Sequence, residues 1–347
     1  MIALAHRYIW AATLVQGLAL SQDASAQNQN FYQGKTVNIV VGFSAGGGYD
    51  AYARLLAGYY GKHIPGNPQV VVQNMPGAAS RRSIQYLDTN APNDGTAIVI
   101  FNFGQITSSL VMPPENMELD FRRYAWIGSM NKDVSVCYVW KDRYPDVKNA
   151  LELAKTGKQV IYGITGVGSS SWFNQAMMKG VFEVNLKQVA GYPGSKDKQL
   201  AVERGELDGD CGEWSSVPEN WNASGRIVHM MRSSRFTPVG MPAEIPWAVE
   251  LAPTQEKKQM VRLLTAASDI GRPFITRKDV SADRLTTLRT AFNNALKDPA
   301  LVTEADKTGR PVSPMTAEEV MEGLDELYAI PKDIVEKTRA SLPAAQK

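Results

Sequence analysis

Residues 36–54 read TVNIVVGFSAGGGYDAYAR, and this stretch decides the fold class. A run of mostly β-branched residues, Thr36–Val41, is followed by a glycine-rich turn and then by helical spacing from Asp50. Nearly continuous apolar strands of this kind are typical of sheets that are covered on both faces. A strand, a tight turn and a helix in this order predict a βα unit, the building block of an α/β fold.

The same order recurs along the chain. Further strands are predicted at 69–73, 97–102, 134–140, 159–164, 186–189 and 227–231, and helices at 147–155, 170–181 and 195–204. The last third is helix-rich, with helices predicted at 254–267, 281–296, 316–327 and 330–341. Strands separated by helices of about 10–15 residues predict βαβ units and mainly parallel sheets. Ligands of such sheets bind beyond the carboxyl ends of the strands, so the loops there are the candidate sites.

Length, charge and cysteine content exclude several functional classes. The chain has 347 residues, 44% hydrophobic and 21% charged, which is globular composition and enough for two compact units. A net charge of +2 is too small for nonspecific electrostatic binding to nucleic acid to be the main function. Two cysteines and three histidines leave little for a metal centre, and no zinc-ligand, nucleotide-phosphate or calcium-loop motif is present. We therefore predict no metal and no other cofactor.

The first 26 residues have the layout of a secretory signal peptide. His6 and Arg7 precede an apolar stretch at 8–20, and Ala24-Ser25-Ala26 supplies the small residues of a cleavage site. A span of the membrane needs about 20 apolar residues, so the stretch is too short to favour an uncleaved anchor. We expect a mature chain that is soluble and exported.

The glycine-rich loop after the first strand is the first candidate binding site. It brings unpaired backbone N–H groups to a helix N-terminus, which is an anion seat. The alternative is a tight turn in which Asp50 caps the helix and pairs with Arg54. The candidate residues of this loop are Phe43, Ser44, Ala45, Gly46, Gly47, Gly48, Tyr49 and Asp50.

Three more loops rich in glycine, serine or proline follow predicted strands. They are 74–80 (NMPGAAS), 165–171 (TGVGSSS) and 191–195 (GYPGS). A single loop of this kind is weak evidence because glycine turns are common. Four such loops, spread over two halves of the chain, predict two half-sites that face each other across a cleft.

Two enzyme alternatives have partial motifs. Residues 42–46 match G-x-S-x-G, the nucleophile elbow of a serine hydrolase with Ser44 as nucleophile, but only one strand precedes it and the available bases are His63 and His229. Residues 166–171 half-match the G-x-G-x-x-G dinucleotide fingerprint, with Ser171 at the third glycine. A third group consists of the acids Asp208, Asp210 and Glu213, whose spacing fits no standard metal-binding loop. We interpret them as a turn followed by a solvated strand face. One of these acids is expected to contact a hydrogen-bond donor of the ligand.

Motifs spread over the predicted mature chain resemble the substrate-binding proteins of tripartite tricarboxylate transporters, the Bug family. They are VNIVVGFSAGGGYDAYARLLAGYYGKHIPGNPQVVVQNMPGAASRRS at 37–83, NDGT at 93–96, ITGVGSSSWF at 164–173, VAGYPGSKDKQLAVERGELDG at 189–209 and GRPFITRKDVSADRLTTLRTAF at 271–292. Residues 41–95 are the most specific part. The resemblance implies a binding protein and no enzyme, with the serine hydrolase as the alternative.

The family implies an α/β, periplasmic-binding-protein-like fold, with two lobes, a hinge and a ligand cleft between the lobes. We place lobe 1 at 31–130 and about 236–347, and lobe 2 at about 131–235. The implied ligand is a small organic acid, a di- or tricarboxylate or an aromatic carboxylate, and the implied partners are integral membrane transporter subunits. The chain is expected to be a periplasmic monomer that binds no nucleic acid.

The family's binding positions map onto loops of both lobes. Besides the first loop, they comprise Gly77, Ala78, Ala79, Ser80, Asn102, Phe103, Thr165, Gly166, Val167, Gly168, Ser169, Tyr192, Pro193 and Glu213. Two departures stand out, because the family commonly has proline where Gly42 stands and Gly-Ala-Gly-Gly where residues 77–80 stand. The same architecture makes the strands of Cys137 and Cys211 neighbours, so a disulfide between them is a hypothesis.

Overall fold

The computed structural model describes residues 31–114, 117 and 119–342. Its strands are β1 (Thr36–Val41), β2 (Gln69–Asn74), β3 (Ala97–Ile100), β4 (Ala125–Ser129), β5 (Ser135–Trp140), β6 (Val160–Gly163), β7 (Leu186–Val189), β8 (Gly209–Glu213), β9 (Ile227–Arg232), β10 (Pro273–Thr276) and β11 (Met315–Thr316). Its helices are α1 (Gly48–Tyr60), α2 (Arg81–Thr89), α3 (Gly104–Val111), α4 (Ala150–Lys155), α5 (Ser170–Gly180), α6 (Ser195–Arg204), α7 (Glu219–Ala223), α8 (Ala248–Leu251), α9 (Gln255–Thr265), α10 (Ala282–Ala295), α11 (Pro299–Lys307), α12 (Ala317–Tyr328) and α13 (Lys332–Ser341). The predicted signal peptide, residues 1–26, lies outside the described residues.

Each of the two lobes is built on one sheet. The first sheet has the strand order β11-β4-β10-β3-β1-β2, and the second has the order β7-β6-β8-β5-β9. Helices alternate with the strands, so the predicted α/β class with two lobes is confirmed. The chain passes from the first sheet to the second between Ser129 and Ser135, and it returns between Arg232 and Pro273.

Both sheets are mixed, and the prediction of mainly parallel sheets is wrong. The pairs β1–β2, β1–β3, β6–β7 and β6–β8 are parallel. The pairs of β10 with β3 and β4, of β11 with β4, and of β5 with β8 and β9 are antiparallel. The antiparallel pairs involve the strands next to the crossings between lobes. A strand buried on both faces is apolar in either direction, so sequence pattern does not reveal this.

Three apolar cores hold the layers together. One packs α1 and α10 on one face of the first sheet, through residues such as Tyr52 and Phe292. Another packs α6 and Trp221 on one face of the second sheet. The third and largest joins the two lobes, because it contains Ile106 of α3 together with Phe173 of α5. The lobes therefore meet through apolar packing as well as through polar contacts.

Among the described residues, no helix is both long enough and apolar enough to cross a membrane.

Candidate functional site

A small cavity of about 20 Å³ lies between the lobes, where β1, β3, β6 and β8 end. Residues of both lobes line it: Phe43, Gly47, Gly48, Tyr49, Asn102, Thr165, Ser170, Ser171, Ser195, Lys198, Cys211, Gly212 and Glu213. A space of this size holds about one water molecule.

Two helices, one from each lobe, direct their N-termini at this cavity. Helix α1 begins after Gly47 and α6 begins after Gly194, and neither has a side-chain N-cap. The two ends touch, because the Gly48 N–H lies 3.4 Å from Ser195 Oγ and a Cβ on Gly47 would lie 2.9 Å from that oxygen. The first N–H groups of a helix lack intrahelical partners and carry partial positive charge. The cavity is thus flanked by two donor-rich helix ends.

Asn102 connects the lobe 1 wall of the cavity to a third helix N-terminus. Its Oδ1 accepts hydrogen bonds from the N–H of Ser170 (2.8 Å) and of Gly104 (2.9 Å). Its Nδ2 donates to Ser170 Oγ (2.9 Å) and to the Tyr49 hydroxyl (3.2 Å). Both polar atoms of this buried amide are therefore satisfied across the lobe interface.

The lobe 2 wall carries buried charges. Lys198 donates from Nζ to Asp210 Oδ1 (2.7 Å) and to the Cys211 carbonyl (3.1 Å), and both charged side chains are nearly fully buried. Burial raises the pKa of Asp210 to about 6, and the Lys198 ammonium offsets only part of this effect. Glu213, at the end of the same strand, accepts a hydrogen bond from Ser170 Oγ at 2.7 Å.

A buried guanidinium lies directly behind the cavity. Arg272 is fully buried and donates from Nη2 to Asp133 Oδ2 (3.0 Å) and to Ser216 Oγ (2.8 Å). Its guanidinium carbon lies 4.5 Å from the ring centre of Tyr49 and 5.1 Å from that of Tyr52. Cation–π contacts of this kind are strongest away from water. Arg272 thereby links α1 of lobe 1 to the loop after β8 in lobe 2.

Seven of the residues predicted to bind ligand line the cavity, and they are Phe43, Gly47, Gly48, Tyr49, Asn102, Thr165 and Glu213. Ser44 contacts lobe 2 instead, because its hydroxyl donates to Asp197 Oδ2 (2.8 Å) and its N–H donates to the Pro193 carbonyl (3.1 Å). Ala45 and Gly46 of the same loop are exposed. The first candidate loop therefore supplies both cavity wall and lobe contact.

Asp50 organises its own loop. Its carboxylate accepts hydrogen bonds from the Gly46 N–H (2.8 Å), Arg54 Nε (2.9 Å) and Asn74 Nδ2 (2.8 Å). Burial opposes ionisation, but these bonds outweigh it and hold the pKa of Asp50 below its usual value. The structure thus shows the Asp50–Arg54 pair of the turn alternative, while the glycines before Asp50 still line the cavity.

The second candidate loop lies at the edge of the interface, outside the cavity lining. Ala78, Ala79 and Ser80 all have positive φ (47°, 56° and 72°), which is strained for residues with a Cβ. A Cβ on Gly166 of lobe 2 would lie 3.0 Å from the Ala79 nitrogen, so this loop touches the facing lobe. Gly77, which precedes the three residues, is exposed.

The two departures from the family pattern are coupled in space. Ser80 Oγ accepts a hydrogen bond from the Asn102 N–H at 2.9 Å, so its hydroxyl supports the Asn102 turn. A Cβ built on Gly42 would lie 2.2 Å from the Ser80 Cβ. A side chain at position 42 therefore excludes one at position 80. In this chain position 42 is glycine, and the space is filled by the side chain of Ser80.

The other predicted positions form lobe contacts or core. Gly168 accepts a hydrogen bond from Gln105 Nε2 of lobe 1 (3.1 Å), and Ser169 caps α5 by accepting from the Trp172 N–H. Phe103 is buried in the core that joins the lobes. Outside the lining are also Gly166, Val167, Tyr192 and Pro193.

The disulfide hypothesis concerns two residues that face each other in register on β5 and β8. The Cα atoms of Cys137 and Cys211 lie 4.1 Å apart, and the two sulfur atoms are bonded. Because Cys211 lines the cavity, this cross-link lies directly behind the lobe 2 wall.

The serine hydrolase alternative lacks a base. The partner of the Ser44 hydroxyl is a carboxylate, Asp197, and no described histidine hydrogen-bonds to it. His63 contacts Asp298 and His229 contacts Asn222. A triad needs a base in contact with the nucleophile, so this geometry does not support acyl transfer.

The prediction of a solvated strand face for the acidic cluster is wrong. Asp210 and Glu213 are 2% and 5% exposed and lie on β8, a central strand of the second sheet. Asp208 precedes that strand and accepts a hydrogen bond from the Ile161 N–H. Sequence pattern suggested a surface because three acids in six residues are usually solvated.

Sequence reasoning missed several lining residues, notably Ser195 and Lys198. A signal for both was present, since residues three apart on a helix share a face. Lys198 therefore lies on the same side of α6 as Ser195, and Ser195 ends the candidate loop 191–195. Within the described residues, no group of three ligating side chains forms a metal site.

No protein-family model matches the sequence. A UPF0065 protein from the tcbD-tcbE intergenic region of Pseudomonas sp. (strain P51) is 27% identical over 202 residues, 56% of this chain and 58% of that protein. A UPF0065 protein from the gbd 5′ region of Cupriavidus necator is 39% identical over 93 residues, 27% of each chain. The matched stretches thus span less than two thirds of either relative.

Solved structures are similar over nearly the whole described chain. The periplasmic binding protein BugD has a TM-score of 0.68 at 20% identity and covers 89% of this chain and 97% of its own. Rpa4515 of R. palustris with adipate scores 0.67 at 19% identity, with 88% and 97% covered. MatC (Rpa3494) from Rhodopseudomonas palustris with bound malate scores 0.66 at 16% identity, with 87% and 99% covered.

The likeness shows a shared fold, and the resemblance inferred from the motifs is confirmed. BugD is described as a periplasmic binding protein, and the other two neighbours are described as holding adipate and malate.

Proposed function

We propose that this chain binds a small carboxylate-bearing solute between its lobes, closes around it by a hinge motion and releases it chemically unchanged. The observation that carries the proposal is the convergence of two uncapped helix N-termini, those of α1 and α6, on one cavity beside Lys198. Helix N-termini of this kind bind carboxylates through main-chain N–H groups. Adipate and malate, held by two proteins of the same fold, are dicarboxylates.

The geometry of the two helix ends supports an anion seat. The 3.4 Å contact from the Gly48 N–H to Ser195 Oγ is longer than an ordinary hydrogen bond. A carboxylate placed between the two ends gives these donors a charged acceptor, and such bonds are stronger than neutral ones. Each end follows a glycine, Gly47 or Gly194, so neither helix has a side-chain N-cap, and a ligand at the Gly48 N–H would displace only the long contact from Ser195 Oγ.

The size of the cavity supports the proposed hinge motion. A cavity of about 20 Å³ does not admit an acid of several heavy atoms, so the lobes must separate for entry. Contacts such as Asn102–Ser170 and Ser44–Asp197 hold the closed arrangement. A ligand shifts such an equilibrium only by binding one arrangement better than the other.

The proposal extends to place and partner. We infer export to the periplasm through the signal peptide predicted at 1–26, since two solved neighbours of the same fold are described as periplasmic. We infer delivery of the solute to integral membrane subunits of a tripartite-type transporter, on the basis of the Bug-family resemblance. Both inferences concern the chain as a monomer.

The experiment is a thermal-shift screen of small mono-, di- and tricarboxylates and aromatic acids, followed by calorimetry on each hit. A ligand at a hundredfold excess over its Kd stabilises the folded state by about 2.7 kcal/mol. The matched control is the neutral amide of the best acid, which has the same shape without the charge and is expected not to bind. Melting curves that no acid moves, or equal binding of the amide, contradict the proposal.

A further inference from the structure

Glu213 is a buried carboxylate that faces the proposed ligand cavity. It is 5% exposed, lies at the end of β8 and lines the cavity. Within the described part of the chain, its hydrogen-bond partner is the neutral hydroxyl of Ser170, at 2.7 Å. A carboxylate accepts about four hydrogen bonds, and burying it with few partners is costly.

The cations near Glu213 are already engaged with other carboxylates. Lys198 pairs with Asp210 at 2.7 Å, and Arg272 pairs with Asp133 at 3.0 Å. Among the described residues, Glu213 takes part in no ion pair. The Arg272 charge acts on Glu213 through space, but no described cation contacts this carboxylate directly.

The cavity lining thus offers both donors and an anionic acceptor. The N-termini of α1 and α6 offer donors to an acid group, whereas Glu213 offers an acceptor. A second carboxylate of the ligand placed at Glu213 would meet a like charge in a low-dielectric site. A ligand N–H or O–H placed there would add a hydrogen bond to a carboxylate that accepts one from Ser170.

We propose that Glu213 is a specificity-determining residue, which selects acids that carry a hydrogen-bond donor, an ammonium or a hydroxyl, on the carbon next to the bound carboxylate or close to it. This inference rests on the proposed function and deepens it. The preferred ligand is an amino- or hydroxy-substituted acid, and the unsubstituted acid of the same length binds more weakly.

The test uses ligands that differ in one group. Calorimetry compares succinate, malate and aspartate, which share a four-carbon dicarboxylate skeleton with no substituent, a hydroxyl or an ammonium. A second arm compares adipate with 2-aminoadipate. We expect the substituted acid of the skeleton that binds to be tighter by about tenfold or more, because the unsubstituted acid leaves the buried acceptor without a ligand donor.

The variant Glu213→Gln keeps the shape and the acceptor for Ser170 but removes the charge. It is expected to reduce the preference for the ammonium-bearing acid to within about threefold, and to leave the unsubstituted acid bound as well or better. The exposed Glu206→Gln in the same lobe is the control and should bind like the unaltered chain. If Glu213→Gln does not fold, the comparison of ligands on the unaltered chain decides alone.

The outcomes separate the two proposals. If an unsubstituted acid binds as tightly as its amino and hydroxy analogues, Glu213 does not select a donor, while the carboxylate site stands. The same conclusion follows if Glu213→Gln keeps the full preference. If no acid of either length binds and the wider screen is also negative, the carboxylate site fails and this inference fails with it.

Discussion

The two walls of the cavity are built from different chemistry. Lobe 1 presents backbone and neutral groups, chiefly Gly47, Gly48 and Asn102, whereas lobe 2 presents the ionisable side chains Lys198 and Glu213. Backbone N–H groups bind the carboxylate of any acid without a buried counter-charge. In the inference drawn above, a charged side chain, Glu213, distinguishes the remainder of the ligand. The comparison teaches that both lobes contribute main-chain donors, through α1 and α6, whereas lobe 2 alone adds charged side chains to the cavity wall.

Because of this difference, the stability of lobe 2 depends on a buried ion pair. A buried ion pair is stable only while both partners are present. Asp210 depends on Lys198, and the pair is held in place by α6 and β8. The lobe 1 wall contains no ionisable side chain other than Tyr49 among the residues lining the cavity. Lobe 2 should therefore be the more sensitive to pH and to loss of a charge.

Lys198→Met should give the largest effect. It leaves the buried Asp210 without its cation, which costs about 3–5 kcal/mol of unfolding free energy. The folded-state pKa of Asp210 is already raised by burial to about 6, above its unfolded value, and losing Lys198 raises it further. The folded protein then takes up a proton as pH falls, so the deficit should be largest at pH 8 and smaller at pH 5.

Urea unfolding at the two pH values measures this deficit. Lys196→Met, on the same helix but exposed, is the control and should change the unfolding free energy by less than about 0.5 kcal/mol. The double variant with Asp210→Asn should recover part of the loss. A deficit of equal size at pH 5 and pH 8 would show that Asp210 is not the cause.

Loss of the Cys137–Cys211 cross-link should have the next largest effect. The bond joins two residues that are 74 apart in sequence. Its reduction should therefore lower the free energy of unfolding by about 2–4 kcal/mol. Hydrogen exchange should show β5 and β8 losing protection while β1 and β3 keep theirs, because both cysteines lie in lobe 2. Two free thiols in the unreduced, unfolded protein would contradict the bond.

Gly104→Ala should act on closure and leave folding largely intact. A Cβ at this position of α3 would lie 2.3 Å from the backbone nitrogen of Ser170 in lobe 2. Overpacking of this kind costs about 1–3 kcal/mol, so ligand affinity measured by calorimetry should fall by about ten- to a hundredfold. Gly58→Ala in α1 meets nothing within 4 Å and is the control for affinity. Unchanged affinity in Gly104→Ala would mean that binding does not need this contact.

The sequence predicted the local units of the fold well. The run Thr36–Val41 and the following helix appear as β1 and α1, because strand and helix periodicity are local properties. Glycines 47 and 48 line the cavity, since a strand end that opens into a helix fixes their place. Helix α3 was not predicted, because its sequence GQITSSLV contains few strong helix formers.

Properties that depend on distant pairing were not predictable. The burial of Asp210 and Glu213 arises because β8 lies between β6 and β5, and no local pattern reports that position. The role of Arg272 depends on Asp133 and Tyr49, which are more than a hundred residues away in sequence. The coupling of Gly42 to Ser80 likewise becomes visible only when β1 and the loop after β2 lie side by side.

The most direct test of the central claim is a crystal structure of the chain with the tightest-binding acid from the screen. The account predicts the carboxylate between the lobes, within hydrogen-bond distance of the N–H groups that begin α1 and α6. A carboxylate found elsewhere, for example in the groove of about 700 Å³ lined by α9, α12 and the start of α13, would contradict it.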